Sequence, residues 1–444
     1  MQGKHLSMYI ENITLTNYRN FAQLNLVLGK HATLLIGKNG SGKTNIISAL
    51  KQSMSFIFSK NSRISQFSFV AETGSKVKSF ETTDARRAMN RDGSQNQMGT
   101  WPVRIATIVN IGESKPLNVV FERMTLSEGM KESYSPESVK FWNRYAQLSD
   151  LPVLAFYSDA FPHEKARIGK KMQDKLDSSF GIGQADAYYN WDDPRDCSPV
   201  WQSYFAMQFK NDKYNGGNGE EKAYIEAINE CFVRFSAPLE QAAENDDFSV
   251  REISLVARGQ KEVVVLRFNN GMESDFDSLP AGYRRAFSMV LDLANRAYLL
   301  NKNCSPSGIV FVDETDLHLH PSLAQEIVER LLGTFPRIQF IFSSHSPLVL
   351  SNFKQDGDDK LVYSVNRRGN LTSDVHRIDY SYGIDYNSLL TDLMGTKIRN
   401  SMLRQLIESY LYWKDAEDED LMKSSYARIV DLVGENSPIL KRLK

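Results

Sequence analysis

Gly37-Lys38-Asn39-Gly40-Ser41-Gly42-Lys43-Thr44 sets the reading of the whole chain, because it is a complete GxxxxGK[ST] pattern. Ala32 to Ile36, immediately before it, is a short apolar run that reads as a strand, and a helical pattern opens near Lys43. That strand–loop–helix context is the one the pattern needs. The glycines let backbone N–H groups turn inward around phosphate oxygens, and the helix N-terminus adds its positive dipole end. Asn39, Gly40, Ser41 and Gly42 form the cradle, Lys43 reaches the β- and γ-phosphates, and the Thr44 hydroxyl is placed to ligate Mg²⁺. The expected ligands are ATP and Mg²⁺.

Further along, Ile309-Val310-Phe311-Val312-Asp313-Glu314 is an apolar strand ending in adjacent carboxylates. In isolation such a run is a core strand followed by two surface acids. After a P-loop, and at the start of a strand–helix unit, Asp313 is expected beside the metal, holding a Mg²⁺-bound water. Glu314 is then the general base that polarises the attacking water. Gln339 to Ser343 reads as another strand, and His345 follows it in Ser343-Ser344-His345-Ser346-Pro347. Helical patterns over Tyr283–Asn301 and Ser322–Leu332 alternate with these strands, so the C-terminal half reads as a largely parallel sheet.

At the N-terminus, Tyr9–Leu15 and Phe21–Leu28 read as strands, with Leu24, Leu26 and Leu28 on one face. Glu72–Gly99 is polar and reads as an exposed loop. Strands are expected over Val103–Asn110 and Leu117–Phe121, and helices over Val139–Leu148, Val200–Phe209 and Lys222–Ala243. Asn211–Glu221 reads as a linker, and Ser249–Phe268 as two further strands. From Ser388 onward the sequence is helical with a charged surface. The expected division is 1–50 (N-terminal lobe with the P-loop), 51–245 (an insertion of mixed strands and helices), 246–387 (C-terminal lobe) and 388–444 (a helical, candidate partner-binding region).

The 53 Lys and Arg almost cancel the 54 Asp and Glu, leaving a net charge of −1 in 444 residues, so no whole-chain basic field points to nucleic acid. Arg86, Arg87 and Arg91 read as a solvated loop. Cys197, Cys231 and Cys304 are widely spaced with no CxxC pair, which fits reduced thiols better than a disulfide framework. The first residues lack the order of a signal peptide, and no apolar run approaches the roughly 20 residues that span a bilayer. The expected location is cytoplasmic. His318 and His320 form an HxH without another His or Cys nearby, and are not read as a zinc site.

The motifs, in this order, resemble the ABC ATPase superfamily, with Ile10–Leu50 similar to the opening of RecF- and SMC-like heads and Val312–Leu350 similar to the ATPase half of OLD-family proteins. The resemblance implies an α/β fold: an ABC-type ATPase head, a mixed sheet with a P-loop, with an inserted α-rich subdomain and a helical C-terminal region. It implies that His345 contacts the γ-phosphate and that Asp316 lies in the loop crossing a head–head interface. It also implies that Leu279-Pro280-Ala281-Gly282-Tyr283-Arg284 stands for the signature that completes a second copy's site. Gly282 would present its N–H there. Pro280 replaces the usual serine and offers neither hydroxyl nor N–H, so Arg284 or Arg285 is the candidate replacement donor and hydrolysis is expected to be slow. Gln66 is a candidate for the Mg²⁺-sensing glutamine. Tyr18 and Arg19 either stack near an adenine or simply close the first hairpin.

Leu279–Asn301 and Ser381–Leu411 look like PtuA-type ATPases of Septu- and retron-associated antiviral defence. That resemblance implies a homo-oligomer assembled through the heads and a separate HNH nuclease partner of the PtuB kind, with 388–444 as its contact and nucleic acid met through the complex. No HNH cluster can be drawn from seven His residues placed as here, and the stretch after the head is shorter than the Toprim domain of OLD ATPases. The alternatives are a RecF-like nucleotide-dependent DNA-binding repair ATPase, or the ATPase of another defence system. A transporter ATPase would carry a true LSGGQ.

Overall fold

The computed structural model of the chain describes residues 8–59, 76–87, 99–113, 115–139, 141, 151–161, 164–178, 181–217, 219–239, 248–303, 305–368, 372–393, 401–435 and 437–443. Gln66, Arg91, Cys304 and most of Val139–Leu148 lie outside these residues. The chain divides into two compact units, Met1–Gly383 and Ile384–Lys444.

The first unit is built on three sheets. The central one has the order β14-β13-β3-β12-β11-β7, from β3 (Ala32–Ile36), β7 (Val153–Tyr157), β11 (Gly308–Val312), β12 (Ile338–Ser344), β13 (Lys360–Arg368) and β14 (Thr372–Ile378). All neighbours are parallel except the edge pair of β13 with β14. β3, β7 and β11 are ATLLI, VLAFY and GIVFV, buried at every residue, as strands covered on both faces must be. At Gly308 a Cβ would lie 2.3 Å from the Val153 carbonyl oxygen, so the close approach of β11 to β7 requires glycine.

Against this lies an antiparallel sheet, β2-β1-β4-β5-β6, from β1 (Tyr9–Tyr18), β2 (Phe21–Val27), β4 (Val103–Asn110), β5 (Leu117–Arg123) and β6 (Lys131–Tyr134). Its β4 alternates buried and half-exposed residues, the period-two pattern of a sheet with one covered face. Gln339 on β12, with no exposed surface, ties the two sheets together. It accepts from the Ile10 N–H at 2.8 Å and donates to the Ile10 and Gly29 carbonyls at 2.9 and 2.7 Å. A third sheet, β10-β9-β8, comprises β8 (Val250–Arg258), β9 (Lys261–Phe268) and β10 (Glu273–Asp275).

The helices of this unit are α1 (Lys43–Met54), α2 (Lys170–Asp177), α3 (Ser198–Tyr214), α4 (Glu220–Ser236), α5 (Ala281–Asn301), α6 (Pro321–Thr334) and α7 (Pro347–Asn352). α5 is buried continuously from Arg285 to Leu300, so its polar side chains must find partners inside. Asp292 accepts from Tyr157 Oη at 2.6 Å, Trp201 Nε1 at 2.5 Å and Arg296 Nε at 2.8 Å, and Asn295 accepts from Tyr224 Oη at 2.7 Å. This network locks α5 to β7, α3 and α4. Among the described residues no helix is long and apolar enough to cross a membrane.

The second unit contains α8 (Ser401–Asp415), α9 (Glu419–Val433) and α10 (Pro438–Leu443). It has its own small core of Leu403, Ile407, Tyr410, Ile429, Leu440 and Leu443.

The structure departs from sequence expectation in several places. Asn211–Glu221 is not a linker throughout, because α3 continues to Tyr214 and α4 starts at Glu220. β6, β7, β13 and β14 are strands where none was expected from sequence. Strands β4–β6 and β7 also draw the 51–245 stretch into both large sheets.

Candidate functional site

The parallel order places the C-terminal ends of β11, β12 and β3 side by side. Those three ends carry Asp313-Glu314, Ser343 to His345 and the Gly37–Thr44 loop, so the sheet brings together motifs separated by some 300 residues of sequence. Ligands in such sheets bind outside the carboxyl ends of the strands.

The loop has the conformation its glycines permit. Gly37, Gly40 and Gly42 have φ of 157, 74 and 113°, and Gly42 is the N-terminal cap of α1. A Cβ at Gly42 would lie 2.4 Å from Asn20 Nδ2, and one at Gly37 would lie 2.2 Å from the Val365 carbonyl oxygen. Lys38, Asn39 and Gly40 are exposed, while Ser41 is buried and its Oγ has no hydrogen-bond partner among the described residues. Lys43 folds back over the loop, donating to the carbonyls of Gly37 at 2.8 Å and Lys38 at 3.2 Å. Burial lowers the pKa of its ammonium, and Asp313, Glu314 and Asp316 oppose that shift.

Thr44 Oγ1 donates to Asp313 Oδ2 at 2.7 Å, and Ser343 Oγ donates to Asp313 Oδ1. Glu314 follows in a left-handed backbone conformation (φ 50°), with its N–H donating to Ser343 Oγ at 2.9 Å. Ser344 Oγ donates to Asp316 Oδ1. His345 is exposed, held between the end of β12 and Ser346, whose side chain accepts from Leu348 N at 3.2 Å to cap α7. The donor set fits the expected ligands. An orphaned hydroxyl and a glycine cradle at a helix start suit phosphate oxygens, and a hydroxyl beside a carboxylate suits a divalent cation.

Gly282 is not joined to the P-loop by a hydrogen bond among the described residues. It packs in the first turn of α5, where a Cβ would lie 2.7 Å from the His318 carbonyl oxygen. Arg285, one of the two candidate replacement donors, is turned inward instead. It has no exposed surface and donates to the carbonyls of Ser158 (2.9 Å), Phe161, Asp313 (3.0 Å) and Glu314 (3.0 Å). Burial pushes its guanidinium down to about 10. Of the pair only Arg284 remains part-exposed, donating to the Asp277 carbonyl at 3.2 Å. Tyr18 is buried at the hairpin end opposite Phe21, so its ring closes the first hairpin and is not open to a base. Arg19 donates to Asp84 at 2.9 Å and to Asn45 on α1 at 3.0 Å. His320 caps α6, accepting from the Ser322 N–H at 3.4 Å.

Sequence reasoning missed the polar residues that brace the loop. Asn20 donates to the Ser41 carbonyl at 3.2 Å and accepts from Asn45 at 2.6 Å, and Ser373 Oγ donates to that same carbonyl at 2.5 Å. No spacing signal marks Asn20 or Ser373, which reach the site only through the first hairpin and the β13–β14 pair. Ser343 lay within a stretch already singled out, and its place two residues before His345 was the available clue.

The fold and this arrangement define a P-loop ATPase head of the ABC type. A model of the RecF/RecN/SMC N terminal domain matches residues 9–362, and the chain belongs to that family. More particularly, it is similar to the Retron Vc95 probable ATPase of Vibrio cholerae serotype O1 biovar El Tor, at 23% identity over 94% of this chain and 85% of the relative. It is also similar to the Septu protein PtuA of Bacillus mycoides (strain KBAB4), at 32% identity over 29% of this chain and 18% of the relative. Among solved structures, the SMC head domain from Thermotoga maritima aligns over 84% of this chain and 99% of its own, with 14% identity and a TM-score of 0.43.

Proposed function

We propose that this chain is the ATP-binding and hydrolysing subunit of a cytoplasmic antiviral (anti-phage) defence complex, pairing with copies of itself through its heads and holding or controlling a separate HNH nuclease. The observation that carries the ATPase reading is the 2.7 Å hydrogen bond from Thr44 to Asp313, between residues 269 apart in sequence. It joins the phosphate loop to the acidic pair, which supports a reading in which both act on a single nucleotide. Lys43 and the loop N–H groups would hold the phosphates, and Thr44 and Asp313 would hold Mg²⁺. Bound there, Mg²⁺ would neutralise charge on the phosphate oxygens. Glu314 accepts the proton of the attacking water as the bond to the γ-phosphorus forms and the β–γ bridging bond breaks. His345 is displayed to meet the γ-phosphate. Pro280, lacking hydroxyl and N–H, makes slow turnover the expectation.

Similarity over nearly the whole chain to a retron ATPase, and over a shorter stretch to a Septu protein, supports the defence role. The separate helical unit at Ile384–Lys444 is the proposed nuclease contact, close to the 388–444 region expected from sequence. ATP cements the paired heads, and their state biases the bound effector by differential affinity. Co-purification of the tagged protein from its native operon, with mass and nucleotide content read together, tests this. A large complex containing ATP and an HNH protein, lost on Lys43→Ala, is the expected result. A lone nucleotide-dependent dimer that shifts DNA would replace it with the RecF-like clamp.

A further inference from the structure

We propose that Arg285 is a positioning residue for the acidic pair, clamping the Glu314 backbone so that its carboxylate faces the water it activates. The inference rests on the ATPase reading above. Glu314 sits at φ 50°, a left-handed conformation that a residue with a Cβ adopts only when its surroundings over-determine it. Both ends of that residue are held. Its N–H donates to Ser343 Oγ at 2.9 Å, and its carbonyl accepts from Arg285 Nη2 at 3.0 Å. The same Nη2 holds the Asp313 carbonyl at 3.0 Å, so one guanidinium edge grips two consecutive peptides. The other terminal nitrogen, Nη1, is anchored on the carbonyls of Ser158 and Phe161 just beyond β7, while the buried Nε has no hydrogen-bond partner among the described residues.

A fully buried guanidinium is expensive unless it is paired. Among the described residues Arg285 forms hydrogen bonds only to main-chain carbonyls, and the carboxylates of Asp316, Glu314, Asp159 and Asp313 act on it only through space. Packing alone would be served better by an apolar side chain of the same volume. The geometry assigns the charge to holding carbonyls, and the two it holds nearest the site belong to the proposed metal ligand and the proposed base. Arg285 also lies in the first turns of α5, the helix whose start carries the Leu279–Arg284 segment and abuts the loop after Glu314 at His318. Any shift of α5 is therefore passed by one side chain to the peptide of Glu314. Among the described residues Arg285 makes no hydrogen bond to Lys43 or the P-loop, and it meets Asp313 only at the main-chain carbonyl. The Asp313 carboxylate keeps its own bonds to Thr44 and Ser343, so nucleotide affinity is expected to change little.

The test uses the full chain with Arg285→Lys, Arg285→Met, Glu314→Gln and the Arg285→Lys/Glu314→Gln double variant. Fluorescent-nucleotide binding and single-turnover ATP hydrolysis are measured per bound nucleotide. Loss of the guanidinium's simultaneous hold on these carbonyls corresponds to about a 10- to 100-fold fall in the single-turnover rate, with nucleotide Kd within about twofold of wild type. Because Arg285 acts through Glu314, Arg285→Lys is expected to add nothing in the Glu314→Gln background. Equal effects of Arg285→Lys in both backgrounds, or a matching loss of nucleotide binding, overturn the positioning role. Failure of both Arg285 variants to fold marks a structural residue and overturns it as well. An inert wild-type chain would instead refute the ATPase reading itself.

Discussion

Replacing Gln339 with leucine should loosen the joint between the two large sheets without touching the site. Gln339 has no exposed surface, and its amide makes three hydrogen bonds of 2.7–2.9 Å to the Ile10 N–H and to the Ile10 and Gly29 carbonyls. Leucine fills nearly the same volume, so the main effect is three backbone groups left without this partner. At about 1–2 kcal/mol for each buried group, the loss is about 3–6 kcal/mol. Burial of the added apolar surface offsets about 1–2 kcal/mol of that, leaving about 2–4 kcal/mol. For a unit the size of Met1–Gly383 the unfolding entropy is on the order of 0.8 kcal/mol/K. The expected fall in Tm is therefore about 3–5 °C. Trp191 and Trp201, both buried in this unit, report the transition by fluorescence. A Tm within about 1 °C of wild type would refute the assignment of the sheet joint to this one amide.

Burial pushes the Asp196 carboxyl up to about 6, despite hydrogen bonds from the Ser198 N–H and hydroxyl. The folded chain then holds that proton more tightly than the unfolded chain, so stability from this group falls as pH rises from about 4 to about 6 and is level above; Asp196→Asn should flatten that slope in urea titrations at stepped pH. Gly42→Ala places a Cβ 2.4 Å from Asn20 Nδ2 at a φ of 113°, and should weaken nucleotide binding by more than about tenfold while thermal unfolding stays cooperative. Ile429→Ala, at the centre of the small core of Ile384–Lys444, should cost that unit about 2–4 kcal/mol, visible as a lower urea midpoint for Trp413 fluorescence with Trp201 burial unchanged.

The residues proposed to hold ligand were the most legible in sequence. Gly37–Thr44 and Asp313-Glu314 are constrained by chemistry to fixed residue types at fixed spacing, and β3 and β11 around them are unbroken apolar runs. The central parallel sheet followed from that alternation. What stayed hidden was long-range. β7 is only five residues, VLAFY, with no motif at its end, and it becomes a strand by pairing with β11 across 155 residues of sequence. Asn20, Ser373 and Gln339 are single polar residues whose partners lie far along the chain, so no local pattern marks them. Arg285 was seen but given the wrong direction, since a basic residue beside the Leu279–Arg284 segment invites an outward reading. Only the packing of α5 turns it toward Asp313 and Glu314.

The central claim is that one nucleotide site, formed by Lys43, Thr44, Asp313 and Glu314, binds ATP and thereby pairs the heads, and then slowly cleaves it. Mass measured by light scattering with and without ATP and Mg²⁺, alongside nucleotide content, tests it directly on wild type, Lys43→Ala and Glu314→Gln. The account predicts an ATP-dependent rise in mass for wild type, a rise that persists with intact ATP for Glu314→Gln, and none for Lys43→Ala. Identical mass and nucleotide content in all three proteins would contradict it.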